Sequence, residues 1–398
     1  MTIRRAILIT VVVVLLLGAA YGGYRYSRPL PSIAPINQLS TQSYGVNTLH
    51  WPTAKAAAIG AEGYGVLAEN GSNSPLPTAS IAKLITALTV LNKYPLAIGQ
   101  PGATLTLTQS DVNIYNQYLS QGGSVAQVMA GEQISEYQVL QGMLIPSADN
   151  LADTLAIWAY GSLSAYQTAA EAYVHSLGMN NTTIGSDASG LSPSTVSTAH
   201  DLILLGEAAL QNPVIKQIVA EPETQLPIAG IVYNYNNLLG QDGIIGIKTG
   251  NSDQAGGAYL FGANYSLNSS HTITVVGVAM GTPTLSTAIN AGKALLSSAV
   301  KNFSLQTIVP AGGVVATYKL PWSNNAVNAV SKQALTAVVW NGATIQPDLS
   351  SLKVLRGGAL RGSDVGTISI YSNGSANPTP VVLSSSAPSP SIWWQIKH

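Results

Sequence analysis

The chain has 398 residues, of which 9% are charged, and its 17 basic and 17 acidic side chains cancel; ordinary soluble domains carry roughly 25% charged residues. The absence of cysteine excludes disulfides and thiolate metal sites and leaves the redox compartment unread. Solubility must rest on Ser, Thr, Asn, Gln and Gly, while 46% apolar content supplies core for two or three domains.

Charge is unevenly placed. Arg4, Arg5, Arg25 and Arg28 precede residue 30 with no acid among them, leaving 13 basic and 17 acidic side chains in the rest of the chain. That body is mildly acidic and has no Lys/Arg run, which argues against nucleic acid as a partner. Between the arginines, Ala6 to Tyr24 is uncharged, with Val11 to Leu17 as its apolar centre. Roughly 20 such residues cross a bilayer as a helix, and Arg4-Arg5 favour a cytoplasmic N-terminus. Gly18-Ala19-Ala20 would also suit a cleaved signal peptide. The length of the apolar run, with Tyr21, Tyr24 and Tyr26 at the outer interface, favours an uncleaved anchor over residues 1–28. Either way the body is exported.

Pro29, Pro31 and Pro35 mark a linker over residues 29–53. Two strands follow, Ala56 to Gly60 and Gly65 to Glu69, with a turn between them. A turn-rich stretch then leads through Pro75 and Pro77 to Ser80-Ile81-Ala82-Lys83 and apolar residues at helical spacing. Residues three apart on a helix share a face, so the Lys83 amine is within reach of the Ser80 hydroxyl. A serine is a poor nucleophile until a base takes its proton. A lysine serves as that base only when neutral, a state that burial, nearby positive charge and a helix N-terminus all favour. Ser-x-x-Lys on its own is also frequent by chance on a solvated turn.

A second helical region from Gly131 stops at Pro146, and Ser147-Ala148-Asp149-Asn150 opens another helix with Leu151, Leu155 and Trp158 inward. The plain reading of Ser147 is an N-cap. Helices are expected at 165–177 and 198–210, with a Gly/Ser-rich loop at 186–193 between them. His200 reads as a helix-start residue, since no Gly-x-Ser-x-Gly elbow partners it. His50, His175, His271 and His398 show no metal spacing. Gly243 to Gly250 is a strand by its β-branched content. It leads an antiparallel run through Gly257–Ala263 and Thr272–Met280, closed by a helix over 285–302. Lys248 and Thr249 on such an edge offer an ammonium and a hydroxyl to a carboxylate. Beyond Phe303 short strands and turns suggest a small all-β domain, ending in Ser/Pro-rich residues 384–391 and in Trp393-Trp394, read as packing on their own domain.

The ordered set resembles the penicilloyl serine transferases, most nearly the D-alanyl-D-alanine carboxypeptidases among the low-molecular-mass penicillin-binding proteins. It comprises Pro75 to Thr86 around Ser80 and Lys83, Gly131-Glu132 leading to Met143–Ser147, Tyr235 to Leu239, and Gly246 to Gly250 followed by Ala255-Gly256. The resemblance implies an α+β fold: an antiparallel sheet flanked by helices, serine β-lactamase/transpeptidase-like, over residues 54–303. A C-terminal small all-β domain over 304–398 and an N-terminal transmembrane helix complete it.

The same resemblance implies a penicillin-sensitive serine carboxypeptidase on peptidoglycan stem peptides ending in D-Ala-D-Ala, on the outer face of the cell membrane, with no metal and no cofactor. Ser80 would be the acylated nucleophile, Lys83 the base and Ser147 a proton relay. Lys248 and Thr249 would hold the substrate carboxylate, Gly250 would also contact substrate, and the backbone N–H groups of Ser80 and Asn251 would form the oxyanion hole. The second motif departs from the family's Ser-x-Asn, because Asp149 stands third and Asn150 follows. An ionised Asp149 beside Lys83 would favour the ammonium and spoil the base, so the expectation is that Asn150 contacts substrate while Asp149 turns toward the helix N-terminus. The alternatives are a non-catalytic penicillin-sensing or wall-binding descendant and, lacking Glu-x-x-Leu-Asn after Asn150, a class A-like β-lactamase.

Overall fold

The computed structural model describes residues 3–372, 375–376 and 378–398. Met1 and Thr2 of the expected anchor, and positions 373, 374 and 377 of the expected β domain, lie outside the described residues. Helix α1 (Ile3–Tyr26) carries the apolar stretch with no buried residue. At 1.5 Å per residue it is about 36 Å long, enough to cross a hydrocarbon core of about 30 Å.

Two compact units follow from the contacts: Asn47–Ser304, and a discontinuous one made of residues up to Val46 together with Leu305–His398. The stretch expected to be a linker is therefore partly structural. Ile33 is buried in the β unit's core and its backbone exchanges hydrogen bonds with Leu355, while Ile36–Asn37 pairs with Ala316–Thr317 at the edge of a five-stranded sheet. Prolines that read as linker signals are also the residues an edge strand tolerates. The other strands of this sheet are Val314–Lys319, Ala326–Ser331, Thr379–Leu383 and Asp364–Ile368.

The larger unit is built on an antiparallel sheet in the order Ile244–Ser252, Gly256–Asn268, His271–Thr282, Ala56–Ala61 and Gly65–Gly71. The helices of this unit are α2 (Ala82–Lys93), α3 (Gln109–Ser120), α4 (Glu136–Leu144), α5 (Asp149–Tyr160), α6 (Leu163–Ser176), α7 (Ala199–Gln211), α8 (Pro213–Val219) and α9 (Leu285–Ala299). Helix α10 (Ile392–Lys397) belongs to the smaller unit, where Trp394 packs edge-on against Trp322 while Trp393 stays 80% exposed.

Successive residues of a strand face opposite sides, and the strand Gly256–Asn268 uses this to take a helix on each face. A Cβ at Gly206 of α7 would meet Leu260 and Val276, and one at Gly292 of α9 would meet Tyr259 and Phe261. Glycine at both places lets the helix backbones approach. The α9 contact follows a buried stripe at Ala288, Ile289, Gly292, Leu295 and Leu296, a helical period. Helix α2 is buried from Ala82 to Leu91, all round rather than on one stripe. Such a helix belongs at the centre of a helical layer, and α4, α5, α6 and α7 surround it. Helix α3 was not expected, although Thr108 and Asp111 form a capping box at its start.

Candidate active site

Ser80 lies in a short 3-10 turn (Ala79–Ile81) that runs into α2, so its side chain and that of Lys83 leave the same face one turn apart. Lys83 is completely buried, yet its Nζ meets three oxygens: Ser80 Oγ at 2.8 Å, Asp149 Oδ1 at 2.6 Å and the Ser189 carbonyl at 2.9 Å. Three acceptors match the three N–H donors of an ammonium. Asp149, itself nearly buried, is the counterion.

Each acceptor is held by its own local structure. Asp149 is the first residue of α5, and its backbone N–H donates to Ser124 O at 2.7 Å. Gly123 crosses so close to it that a Cβ there would lie 2.6 Å from Asp149 Oδ2. The Ser189 carbonyl is aimed by Asp187, whose carboxylate accepts from the N–H groups of Ser189, Gly190 and Ser192 and from Ser189 Oγ. One turn along α5, Asp153 accepts from Ala188 N–H and from Tyr118 Oη. Burial above all pushes the Asp153 carboxyl up to about 6, and it pushes the Tyr118 phenol up as well, with Asp153 adding to that shift.

A second lysine comes from the sheet. Lys248 is buried on the edge strand Ile244–Ser252, with Nζ 2.9 Å from Ser147 Oγ and 3.1 Å from Thr249 O. Burial first, and then the nearby Lys83 charge, hold its amine well below the usual lysine range, against a smaller opposing effect of Asp149. Ser147 is not the N-cap of α5; Ala148 takes that place. Ser147 instead has φ 63°, a conformation that costs a non-glycine residue about 1 kcal/mol or more. Its hydroxyl is thereby free to meet Lys248. Gly250 lies against the Ser80 turn, since a Cβ there would be 3.0 Å from Thr78 O and 3.4 Å from Ser80 N.

These elements line one open cleft, with Ser80, Ser147, Asp149, Thr249, Gly250 and Asn251 around it and the two lysines behind its wall. Of the expected site residues, one leaves the set. Asn150 is fully buried and faces away, its Nδ2 donating to Ala126 O at 2.9 Å and its Oδ1 accepting from Ala126 N–H at 3.0 Å. The expected orientation is thus reversed: Asp149 faces the cleft and Asn150 clamps the 124–126 segment. A helical step of about 100° permits only one of them to face inward, and the paired demands of Ala126 and the burial of Lys83 decide which. Asp187, Asp153 and the Ser189 carbonyl were missed, although Ser186 to Ser192 was legible as a Gly/Ser-rich loop. Tyr235 was noted only within a motif, and it too lines the cleft. His200 sits in the first turn of α7, exposed and 3.3 Å from Glu69, with no place in the cleft.

The family model described as D-alanyl-D-alanine carboxypeptidase matches residues 47–284, more than half the chain. A D-alanyl-D-alanine carboxypeptidase of Mycobacterium tuberculosis is 32% identical over 196 residues, covering 48% of this chain and 63% of that protein. A D-alanyl-D-alanine endopeptidase of Pseudomonas aeruginosa is 33% identical over 199 residues, covering 48% and 60%. This chain therefore matches somewhat under two thirds of the length of those relatives. Penicillin binding protein 5 from Haemophilus influenzae shares the fold at a TM-score of 0.61 and 19% identity, over 85% of this chain and 99% of that one. The Streptomyces K15 DD-transpeptidase does so at 0.56 and 21%, over 63% and 98%.

Asn150→Ala strands two buried backbone groups of Ala126, each worth about 1–3 kcal/mol unsatisfied. Urea unfolding is expected to show a loss of roughly 2–4 kcal/mol; stability near wild type would mean that Asn150 is not the clamp. Asp153 gives a pH signature. Its folded-state value of about 6 lies above its ordinary 3.8, so between the two the native state binds more protons than the unfolded chain, and stability falls as pH rises through that window. Relative to Asp153→Asn, the wild-type protein should lose roughly 2–3 kcal/mol between pH 4 and 7. Parallel stability curves for the two proteins would remove this assignment.

Proposed function

Since this chain belongs to the D-alanyl-D-alanine carboxypeptidase family, we propose that it is a serine-type D-Ala-D-Ala carboxypeptidase that trims peptidoglycan stem peptides through an acyl-enzyme on Ser80. The observation that carries this reading is the 2.8 Å contact between Ser80 Oγ and Lys83 Nζ in a cleft that also holds the Ser147–Lys248 pair. Once Lys83 is neutral it takes the Ser80 proton, and Oγ attacks the carbonyl carbon of the terminal peptide bond. Charge on the carbonyl oxygen is met by the N–H groups of Ser80 and Asn251. The carbon–nitrogen bond then breaks, and Ser147 passes a proton to the departing amine. Water hydrolyses the ester.

Lys248, Thr249 and Gly250 receive the terminal carboxylate. A buried amine held below its usual range gains its proton when an anion arrives beside it, so carboxylate binding draws charge onto Lys248. β-Lactams, which present a carboxylate and a reactive carbonyl, acylate the same serine. In this reading α1 anchors the protein in the cell membrane by a single pass, with a cytoplasmic N-terminus and the catalytic unit outside. The Lys83–Asp149 ion pair favours a second reading, a penicillin-binding protein whose turnover is slow.

Intact-mass measurement after exposure to a penicillin should show one adduct, lost in Ser80→Ala, and a pentapeptide ending in D-Ala-D-Ala should release D-alanine. An adduct that survives the substitution ends the nucleophile assignment, while an adduct with no released D-alanine favours the second reading. For the anchor, protease added to intact cells should digest the body of a protein that still carries its first residues by mass spectrometry. A mature N-terminus near Ala20 or Tyr21 would replace the anchor by a cleaved signal peptide.

A further inference from the structure

We propose that Asp149 is a proton lock on the nucleophile: by pairing with Lys83 it holds the lysine as an ammonium that donates to Ser80 Oγ, and acylation proceeds only through the fraction of molecules in which that proton has left. The inference rests on the acyl-enzyme reading of Ser80 and adds to it the group that sets its rate.

The geometry carries the argument. All three directions around Lys83 Nζ end on acceptors, so the contact with Ser80 Oγ is one in which nitrogen donates and oxygen accepts. A base needs the opposite polarity, with the hydroxyl donating into a lone pair on nitrogen. The 2.6 Å contact with a nearly buried carboxylate opposes that reversal, because removing the ammonium proton would leave Asp149 as an uncompensated buried anion.

The surrounding charges mostly act in the same sense. Asp153 on α5 feels the Lys83 charge, and Asp187 in the 186–192 loop holds the Ser189 carbonyl that is the third acceptor. Tyr118 of α3, bonded to Asp153, is kept as a neutral phenol. On the sheet side Lys248 opposes the lock only when charged; its burial disfavours that state in the free protein, and in the complex the carboxylate that charges it cancels most of its field at Lys83. Asp149 is therefore a positioning residue that acts through Lys83. No other side chain makes an ion pair with that lysine among the described residues.

The chemistry balances without a co-reactant. The Lys83 ammonium releases one proton to solvent and becomes the amine. That amine takes the proton of Ser80 as Oγ bonds to the carbonyl carbon, and the proton so acquired is available to the leaving nitrogen when the carbon–nitrogen bond breaks. Asp149 remains a carboxylate throughout. Asparagine has the same shape without the charge, so Asp149→Asn keeps the packing against Gly123 and removes the lock.

An opposite charge in contact with an ionisable group changes its neutral fraction by on the order of 10- to 1000-fold. The test is the limiting rate constant of acylation at saturating penicillin, followed by intact mass from pH 7 to 9. This quantity is independent of how tightly the carboxylate binds, and the window lies above the titration of Asp153.

The wild-type rate constant is expected to rise close to tenfold per pH unit, and Asp149→Asn should be faster at pH 7 by on the order of tenfold or more, with its rise displaced to lower pH. A slower Asp149→Asn, or profiles that superimpose, overturns the lock while leaving Ser80 as the nucleophile. If the variant does not fold, a wild-type rate constant that is level from pH 7 to 9 overturns the lock by itself. No adduct on Ser80 at any pH overturns the acyl-enzyme reading and the lock together.

Discussion

The site depends on satisfying one buried nitrogen. Lys83 Nζ has no access to water, so its donors must find protein oxygens, and the three it finds come from three separate segments: the turn before α2, the start of α5 and the 186–192 loop. Each segment is fixed independently, by burial of α2, by the Asn150–Ala126 clamp and by the Asp187 carboxylate. A buried ion pair of this kind is weak evidence for stability, because desolvation offsets most of the attraction. Its effect is on geometry and proton distribution. Taking away any one acceptor unties its segment from that common point and leaves a buried N–H unpaired.

Two lysines and one carboxylate in a small volume cannot all be charged on equal terms. Asp149 lies in contact with Lys83 and acts on Lys248 only at a distance, so the counterion is committed to one amine and burial governs the other. The two amines therefore differ in their surroundings: Lys83 has a carboxylate in contact, while burial and the nearby Lys83 charge hold Lys248 below the usual lysine range. The φ of 63° at Ser147 belongs to the same arrangement, since it brings a hydroxyl to the less charged lysine instead of to the helix terminus.

Most of the architecture was legible because its signals are local. Glycine-punctuated β-branched runs gave the three strands on the Lys248 side, and apolar periodicity after a proline-bounded turn gave α2 with Ser80 and Lys83 on one face. Ser80, Ser147 and Lys248 each carry a short local motif, and two of the three, Ser80 and Ser147, line the cleft. Less was available where the determinant is distant in sequence. Whether Asp149 or Asn150 faces inward depends on Ala126, whose backbone demands nothing visible in its identity. Asp187 and Asp153 act through loop backbone, and backbone leaves no residue signature. Ile33 read as part of a linker because its prolines are equally suited to an edge strand, and only Leu355 distinguishes the two.

The interruption of the smaller unit by the larger one has a consequence for the order of assembly. Ile36 leaves the ribosome early, yet its strand partner Thr317 is synthesised some 280 residues later, a delay of roughly 15–55 s at 5–20 residues per second. Asn47–Ser304 is contiguous and forms a compact unit, so it can collapse around its own core during that interval. The segment that carries Ile33 and Ile36 waits unpaired throughout. Its prolines and short apolar stretches suit it to that wait, because proline cannot donate to a stray strand, and a two-residue strand offers little template for mispairing.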